Sequence, residues 1–187
     1  KIMVTPEGVE NFYKPQPPSL IETVKNKYHI EGDFLFCLST LEPRKNVGNL
    51  IRAYGGLSPD LRKTFPLVIV GKKGWGVNSL FQLVEELGVK QSVIFTDYIA
   101  DEDLPSFYQA ATLFIYPSYY EGFGLPVLEA LSCGTPVVTS DRSSLPEITG
   151  DAAWLVQPEG EKGVHEMREA MKALLLDEPL RADLSKR

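Results

Sequence analysis

The 187-residue chain is short of the residues that most often carry chemistry by themselves, with two cysteines and two histidines. Cys37 and Cys133 stand far apart in apolar surroundings. That spacing offers neither a disulfide framework nor a thiolate metal site, and two buried free thiols in a reducing compartment are expected. His29 and His165 are isolated, so no histidine cluster supports a metal. Long hydrophobic runs are missing too. Phe34 to Leu38 is as long as any fully apolar stretch, far below the ~20 residues a membrane-crossing helix needs. No secretory leader is visible, because Lys1-Ile2-Met3-Val4 runs straight into Pro6 and Gly8. Positive charge is in deficit: 19 Lys and Arg face 25 Asp and Glu, a net of −6. That balance argues against a nucleic-acid or anionic-membrane partner. A cytoplasmic location is the expectation. The first residue is not Met, which reads as a piece of a longer protein.

What is present is an ordinary globular composition, 43% hydrophobic and 24% charged, enough for a sizeable core. Short apolar runs alternate with amphipathic patterns. Strands are expected at 34–39, 67–70, 92–95, 112–116, 136–139 and 153–156. Val47, Leu50, Ile51 and Tyr54 show helical spacing after the first strand, and Leu80, Leu83, Val84 and Leu87 after the second. Leu104, Phe107, Tyr108 and Ala111 follow the third, a short helix over 126–131 the fourth, and Val164, Met167, Met171 and Leu174 the last. The strands are apolar at nearly every position, as strands covered on both faces are. The expected fold is α/β, a doubly wound, mostly parallel, six-stranded Rossmann-like sheet. Residues 1–30 read differently, with a short strand near the start, a stiff connector at Lys14-Pro15-Gln16-Pro17-Pro18 and a helix over 20–28. The expected division is a linker over 1–30 and one domain over 31–187.

In open α/β sheets ligands sit outside the carboxyl ends of the strands. Arg44, Lys45, Lys72, Lys73 and Arg142 all follow strands in this reading, with glycine-containing loops beside them. Cations gathered on one rim of an acidic chain outline an anion site, and a phosphate or diphosphate is the natural anion. The most informative stretch is Glu121-Gly122-Phe123-Gly124-Leu125-Pro126-Val127-Leu128-Glu129. Pro126 suits the start of a helix. Residues 124–127 then form a helix N-terminus whose free N–H groups and dipole favour an anion. Glu129 falls among apolar residues and needs a partner; a structural ion pair with a neighbouring arginine is the bland account of it.

At these residues the chain resembles retaining glycosyltransferases of family 4, which have the two-domain GT-B fold. Leu41-Glu42-Pro43-Arg44-Lys45-Asn46 is similar to that family's diphosphate loop, and Glu121 and Glu129 to its paired Glu-x7-Glu. Tyr116-Pro117-Ser118, Cys133-Gly134-Thr135-Pro136-Val137-Val138, Ser144-Leu145-Pro146-Glu147 and Gly150-Asp151-Ala152-Ala153 resemble it in the same order. The resemblance implies the C-terminal, nucleotide-sugar-binding half of such an enzyme, with the N-terminal acceptor half absent and membrane association only through that half. It implies a donor such as GDP-mannose or a UDP-sugar, no required cofactor and no metal. It assigns Arg44 and Lys45 to the donor diphosphate, together with backbone N–H groups near Phe123, Gly124 and Leu125. Glu121 would hold hydroxyls of the transferred sugar and Glu129 those of the ribose. Tyr98 and Ile99 would hold the base, and Gly71 would give the nucleotide clearance. Ser39-Thr40 stands where many members carry Gly-Arg, which places more weight on Arg44 and Lys45.

Three other readings compete. A dehydrogenase-type module wants Gly-x-Gly-x-x-Gly in the first strand-to-helix turn. That turn has no glycine before Gly48, and Gly71-Lys72-Lys73-Gly74-Trp75-Gly76 has the wrong spacing. Asp101-Glu102-Asp103 reads as Asp-x-Asp, yet it opens a helix, where acidic residues are expected as caps. A nucleotide-sugar 2-epimerase-like domain, or a non-catalytic nucleotide-sugar-binding regulatory domain, shares the same pocket and stays open.

Overall fold

The structure, a computed structural model, describes residues 7–72, 77–96 and 98–187. In chain order its elements are α1 (Pro18–Lys27), β1 (Leu35–Leu38), α2 (Val47–Gly55), α3 (Pro59–Thr64), β2 (Leu67–Val70), α4 (Val77–Glu86) and β3 (Val93–Thr96). There follow α5 (Leu104–Ala110), β4 (Leu113–Tyr116), α6 (Leu125–Ser132), β5 (Val137–Ser140), α7 (Leu145–Thr149), β6 (Ala153–Val156), α8 (Gly160–Leu176) and α9 (Glu178–Leu184). Single 3-10 turns occupy Pro43–Lys45 and Asp101–Asp103.

Among the described residues the strands form one six-stranded sheet in the order β3-β2-β1-β4-β5-β6, every pairing parallel. Alternate residues of each central strand point to opposite faces. Leu35, Cys37, Leu67, Ile69, Leu113 and Ile115 join the core under α2, α4 and α8. Phe36, Val68, Val70, Phe114 and Tyr116 join the core under α5 and α6. Both faces are therefore buried, which explains the unbroken apolar runs. On the second face Phe36 meets Phe107 at 4.7 Å and Tyr108 at 5.3 Å between ring centroids, and Tyr108 meets Phe114 at 5.1 Å. This aromatic block fixes α5 against β1 and β4, the two strands that flank the point where the sheet order reverses.

Several expectations need adjusting. Val24 of α1 and Ile30 are buried in the second core, so residues 18–30 pack as part of the body and not as a separate linker. The short strand expected within residues 1–9 is only partly in view: 1–6 lie outside the described residues, and 7–9 carry no strand. Lys73, Gly74 and Asp97 also lie outside them. Asp103 makes no side-chain cap on α5. Instead it pairs with Lys27 Nζ at 2.6 Å and accepts from the Tyr28 hydroxyl at 2.8 Å. A cation and a phenol from α1 outcompete the helix N–H groups, and the contact clamps α1 to α5. Burial pushes the thiols of Cys37 and Cys133 each up to about 12, so both stay protonated and inert.

Candidate functional site

The sheet order reverses between β1 and β4, and the loops leaving these two strands part to leave a crevice. Asn46 stitches the loops together. It sits in the left-handed region at φ 59°, which asparagine tolerates better than most residues. Its Nδ2 donates to Pro117 O at 3.0 Å and Pro158 O at 2.9 Å. The Tyr119 N–H adds a bond to Arg44 O at 2.9 Å. The preceding 3-10 turn thereby aims Lys45 across the crevice at the end of β4.

Lys45 Nζ lies 2.7 Å from Glu121 Oε1 and donates to the Tyr116 hydroxyl at 2.9 Å. Arg44 Nη1 reaches Glu121 Oε2 at 3.1 Å and Tyr120 O at 2.8 Å, while Nη2 pairs with Glu42 at 2.7 Å. Burial drives the Glu121 carboxyl up, but hydrogen bonding and charge from Lys45 prevail, and it ends below the usual carboxylate range. A group whose folded pKa is depressed adds stability above its unfolded value, here about 4.5, and loses it as pH falls through the folded value. Glu121→Gln is therefore expected to lower the melting temperature by roughly 5–10 °C near neutral pH. The gap to wild type should narrow below about pH 4.5, as a melting series from neutral to acid would record.

Two cavities open on this cluster. The larger, about 750 Å³, is lined by Lys45, Tyr116, Glu121, the 122–126 stretch, Ser144, Glu147 and Ile148, with Glu7 at its edge. The smaller, about 350 Å³, is lined by Ser39, Thr40, Gly71, Lys72, Tyr98, Ile99 and Asp101 over an apolar floor of Leu38, Val70 and Leu104. Lys45, Tyr116 and Pro126 belong to both walls. Gly124 caps α6 at φ 113° and Pro126 holds one of its first two positions. Pro126 has no N–H, and those of Val127 and Leu128 bond Gly124 O, so Gly124 and Leu125 are the residues that bring backbone amides to the larger cavity. Ser143 and Ser144 secure this loop by donating to Glu121 O and Phe123 O respectively.

Of the residues singled out in the sequence, the structure gathers Lys45, Glu121, Phe123, Gly124 and Leu125 around one hollow. It places Gly71, Tyr98 and Ile99 around the other. Arg44 lines neither; its guanidinium braces Glu121 from outside. Arg142 also lies apart, paired with Asp141 at 2.7 Å. Glu129 lines neither cavity, but it sits one turn beyond Pro126 on the same helix face. Its carboxylate accepts from the Tyr108 hydroxyl at 2.8 Å, so its partner is a phenol, not an arginine. Sequence reasoning gave Asn46 and Tyr108 no role of their own in the site and read Asp101, which lines the smaller cavity, as a helix cap. For Asn46 the only local signal is a residue tolerant of positive φ just before a helix. Among the described residues no three His, Cys, Asp or Glu side chains gather as metal ligands, and no helix is long and apolar enough to cross a membrane.

Comparison with known proteins identifies the family. Residues 21–187 match the family described as glycosyl transferases group 1. O-antigen chain mannosyltransferase B of Escherichia coli is 44% identical over 161 residues, which cover 84% of this chain and 42% of that protein. The crystal structure of WaaG, a glycosyltransferase involved in lipopolysaccharide biosynthesis, superposes with a TM-score of 0.84 at 26% identity, covering 97% of this chain and 49% of that one. Anabaena HepE in complex with UDP and glucose gives 0.83 at 25% identity, covering 99% and 50%. The chain thus spans half or less of the length of these relatives. Since the family match takes in most of its residues, the chain belongs to the glycosyl transferases group 1 family.

Proposed function

We propose that this chain is the donor-binding domain of a retaining glycosyltransferase that moves a hexose, mannose by preference, from a nucleoside-diphosphate sugar to a sugar or lipid-linked acceptor. One observation carries the reading: Lys45 stands in the shared wall of the two cavities. A diphosphate is the part of such a donor that joins nucleoside to sugar, and Lys45 occupies the corresponding junction. In this reading the nucleoside takes the smaller cavity and the hexose the larger one.

As the glycosidic bond breaks, negative charge grows on the departing diphosphate. Lys45 and the N–H groups at the start of α6 meet that charge without a metal, and they favour the transition state because the charge is greatest there. Arg44 keeps Glu121 ionised and in place. Glu121 accepts from hydroxyls of the hexose, with no role as a nucleophile. The acceptor then approaches from the same face as the leaving group, which preserves the anomeric configuration.

Asp101 supports guanine as the base. Guanine presents two neighbouring N–H donors, on N1 and N2, which a carboxylate accepts side by side. Uracil sets its single N–H between two carbonyl oxygens, which a carboxylate repels. The similarity to a mannosyltransferase supports the same choice, whereas HepE, with UDP bound, favours uridine. Calorimetric titration of the chain with GDP-mannose, UDP-glucose and UDP-N-acetylglucosamine separates these. GDP-mannose is expected to bind about tenfold more tightly, for one well-satisfied charged hydrogen-bond pair. Tighter binding of a UDP-sugar would overturn the base assignment, and silence from all three at millimolar concentration would remove donor binding altogether.

A further inference from the structure

The turn that leads into α7 supplies a wall of the larger cavity that the diphosphate chemistry does not use. Ser144, Glu147 and Ile148 all line it. This wall is locked to the loop that carries Glu121. Ser143 Oγ accepts from the Glu121 N–H at 3.3 Å and donates to Glu121 O, and Ser144 donates to Phe123 O. Leu145 and Ile148 pack so closely on Gly124 that a Cβ there would lie 2.7 Å from Leu145 Cδ2 and 2.9 Å from Ile148 Cδ1. Glu147 sits between these two anchors, in a helix five residues long. Its backbone is therefore fixed relative to Glu121 and the start of α6.

The two carboxylates of the cavity differ in what they are free to do. Glu121 has both oxygens engaged, Oε1 by Lys45 and Oε2 by Arg44. Glu147 is exposed, and among the described residues no hydrogen bond or ion pair holds its carboxylate. A carboxylate has about four acceptor sites, so Glu121 keeps roughly two for hydroxyls. A hexose joined through its anomeric oxygen still carries hydroxyls on C2, C3, C4 and C6, and each needs an acceptor once it leaves water. Glu7 also lines the cavity, but it belongs to a stretch with neither helix nor strand to hold it. An acidic residue in the first turn of a helix suits the helix dipole as well, a role that involves no ligand and that the experiment below separates.

We propose that Glu147 is a second hexose-binding carboxylate: it accepts from a hydroxyl of the transferred sugar that Glu121 does not take, so the cavity selects donors with a free hydroxyl at that position. This rests on the reading of the larger cavity as the hexose site.

The test is calorimetry on the wild-type chain and on Glu147→Ala, with GDP, GDP-mannose and a set of GDP-mannoses that each lack one hydroxyl, at C2, C3, C4 or C6. In the variant the ratio of GDP-mannose affinity to GDP affinity should fall about fivefold, the size of one net hydrogen bond, with GDP itself unchanged within a factor of two. One deoxy donor should bind wild type about fivefold more weakly than GDP-mannose and lose that penalty in the variant, as two groups in direct contact do. Glu147→Gln keeps an acceptor oxygen and should restore part of the ratio. Equal losses for GDP and GDP-mannose would mean that Glu147 supports the helix and would overturn the proposal. A ratio that stays put, or one that falls while every deoxy donor keeps its penalty, would overturn the role of Glu147 and spare the donor reading. A wild-type chain that binds neither GDP nor GDP-mannose would remove the donor reading, and the proposal with it.

Discussion

Lys45→Ala is expected to reduce the affinity for a nucleoside diphosphate by about 100-fold, a loss within the range for truncating one member of a buried charge pair. Its side chain is 11% exposed and that of Glu121 is 9% exposed, so water screens the pair poorly. In the variant the diphosphate loses a charge-assisted donor and also meets Glu121 across the gap that Lys45 had filled. Arg44 does not compensate, because its guanidinium is already committed to Glu42, Glu121 and Tyr120 O. Binding of the parent nucleoside should change by less than threefold, since its cavity keeps the other lining residues. Calorimetry with both ligands on the folded variant gives the comparison. Equal losses for nucleoside and nucleoside diphosphate would mean that Lys45 supports the fold and not the anion.

The second large effect is expected at Gly71. Its φ is 154°, and a Cβ built there would lie 1.8 Å from Ser39 O and 2.6 Å from Ser39 C. Those atoms are backbone, so no side-chain rotation relieves the clash. The two loops are also tied by Ser39 N–H to Val70 O at 2.9 Å and Leu41 N–H to Lys72 O at 3.1 Å. Gly71→Ala must therefore push apart the loops after β1 and β2. Overpacking of this kind costs about 3 kcal/mol or more, which corresponds to a fall in melting temperature of roughly 6–12 °C for a domain of this size. The same displacement widens the floor of the smaller cavity, so nucleotide affinity should fall with stability. A thermal scan showing a melting temperature within about 2 °C of wild type would contradict the close approach of the two loops.

Much of this architecture is legible in the sequence because burial on both faces leaves an unbroken apolar signature. β2 and β6 fall where the runs at 67–70 and 153–156 place them, and the other strands differ by one or two residues at their ends. The helices not expected, α3, α7 and α9, have six, five and seven residues, which leaves periodicity little to register. α3 contributes one apolar residue, Leu61, and α7 is five residues long. The loop chemistry was legible in part. Glycines and a proline at 122–126 announce a helix N-terminus, and Lys45 and Glu121 stand out by type. Their pairing does not, because it spans 76 positions and depends on Asn46 drawing two loops together. Glu129 was recognisable as a carboxylate in need of a partner. That the partner is Tyr108 follows from α5 packing against α6, a tertiary fact with no local trace. Asp103 shows the opposite error. Its local position argues for a cap, and a distant lysine wins.

The most direct test is a crystal structure of this chain with GDP. The account expects the diphosphate against Lys45 Nζ and the N–H groups of Gly124 and Leu125, with the ribose toward Glu129 and guanine beside Ile99 and Asp101. Ordered GDP whose diphosphate lies away from Lys45, or on any face other than the crevice between the β1 and β4 loops, would contradict it.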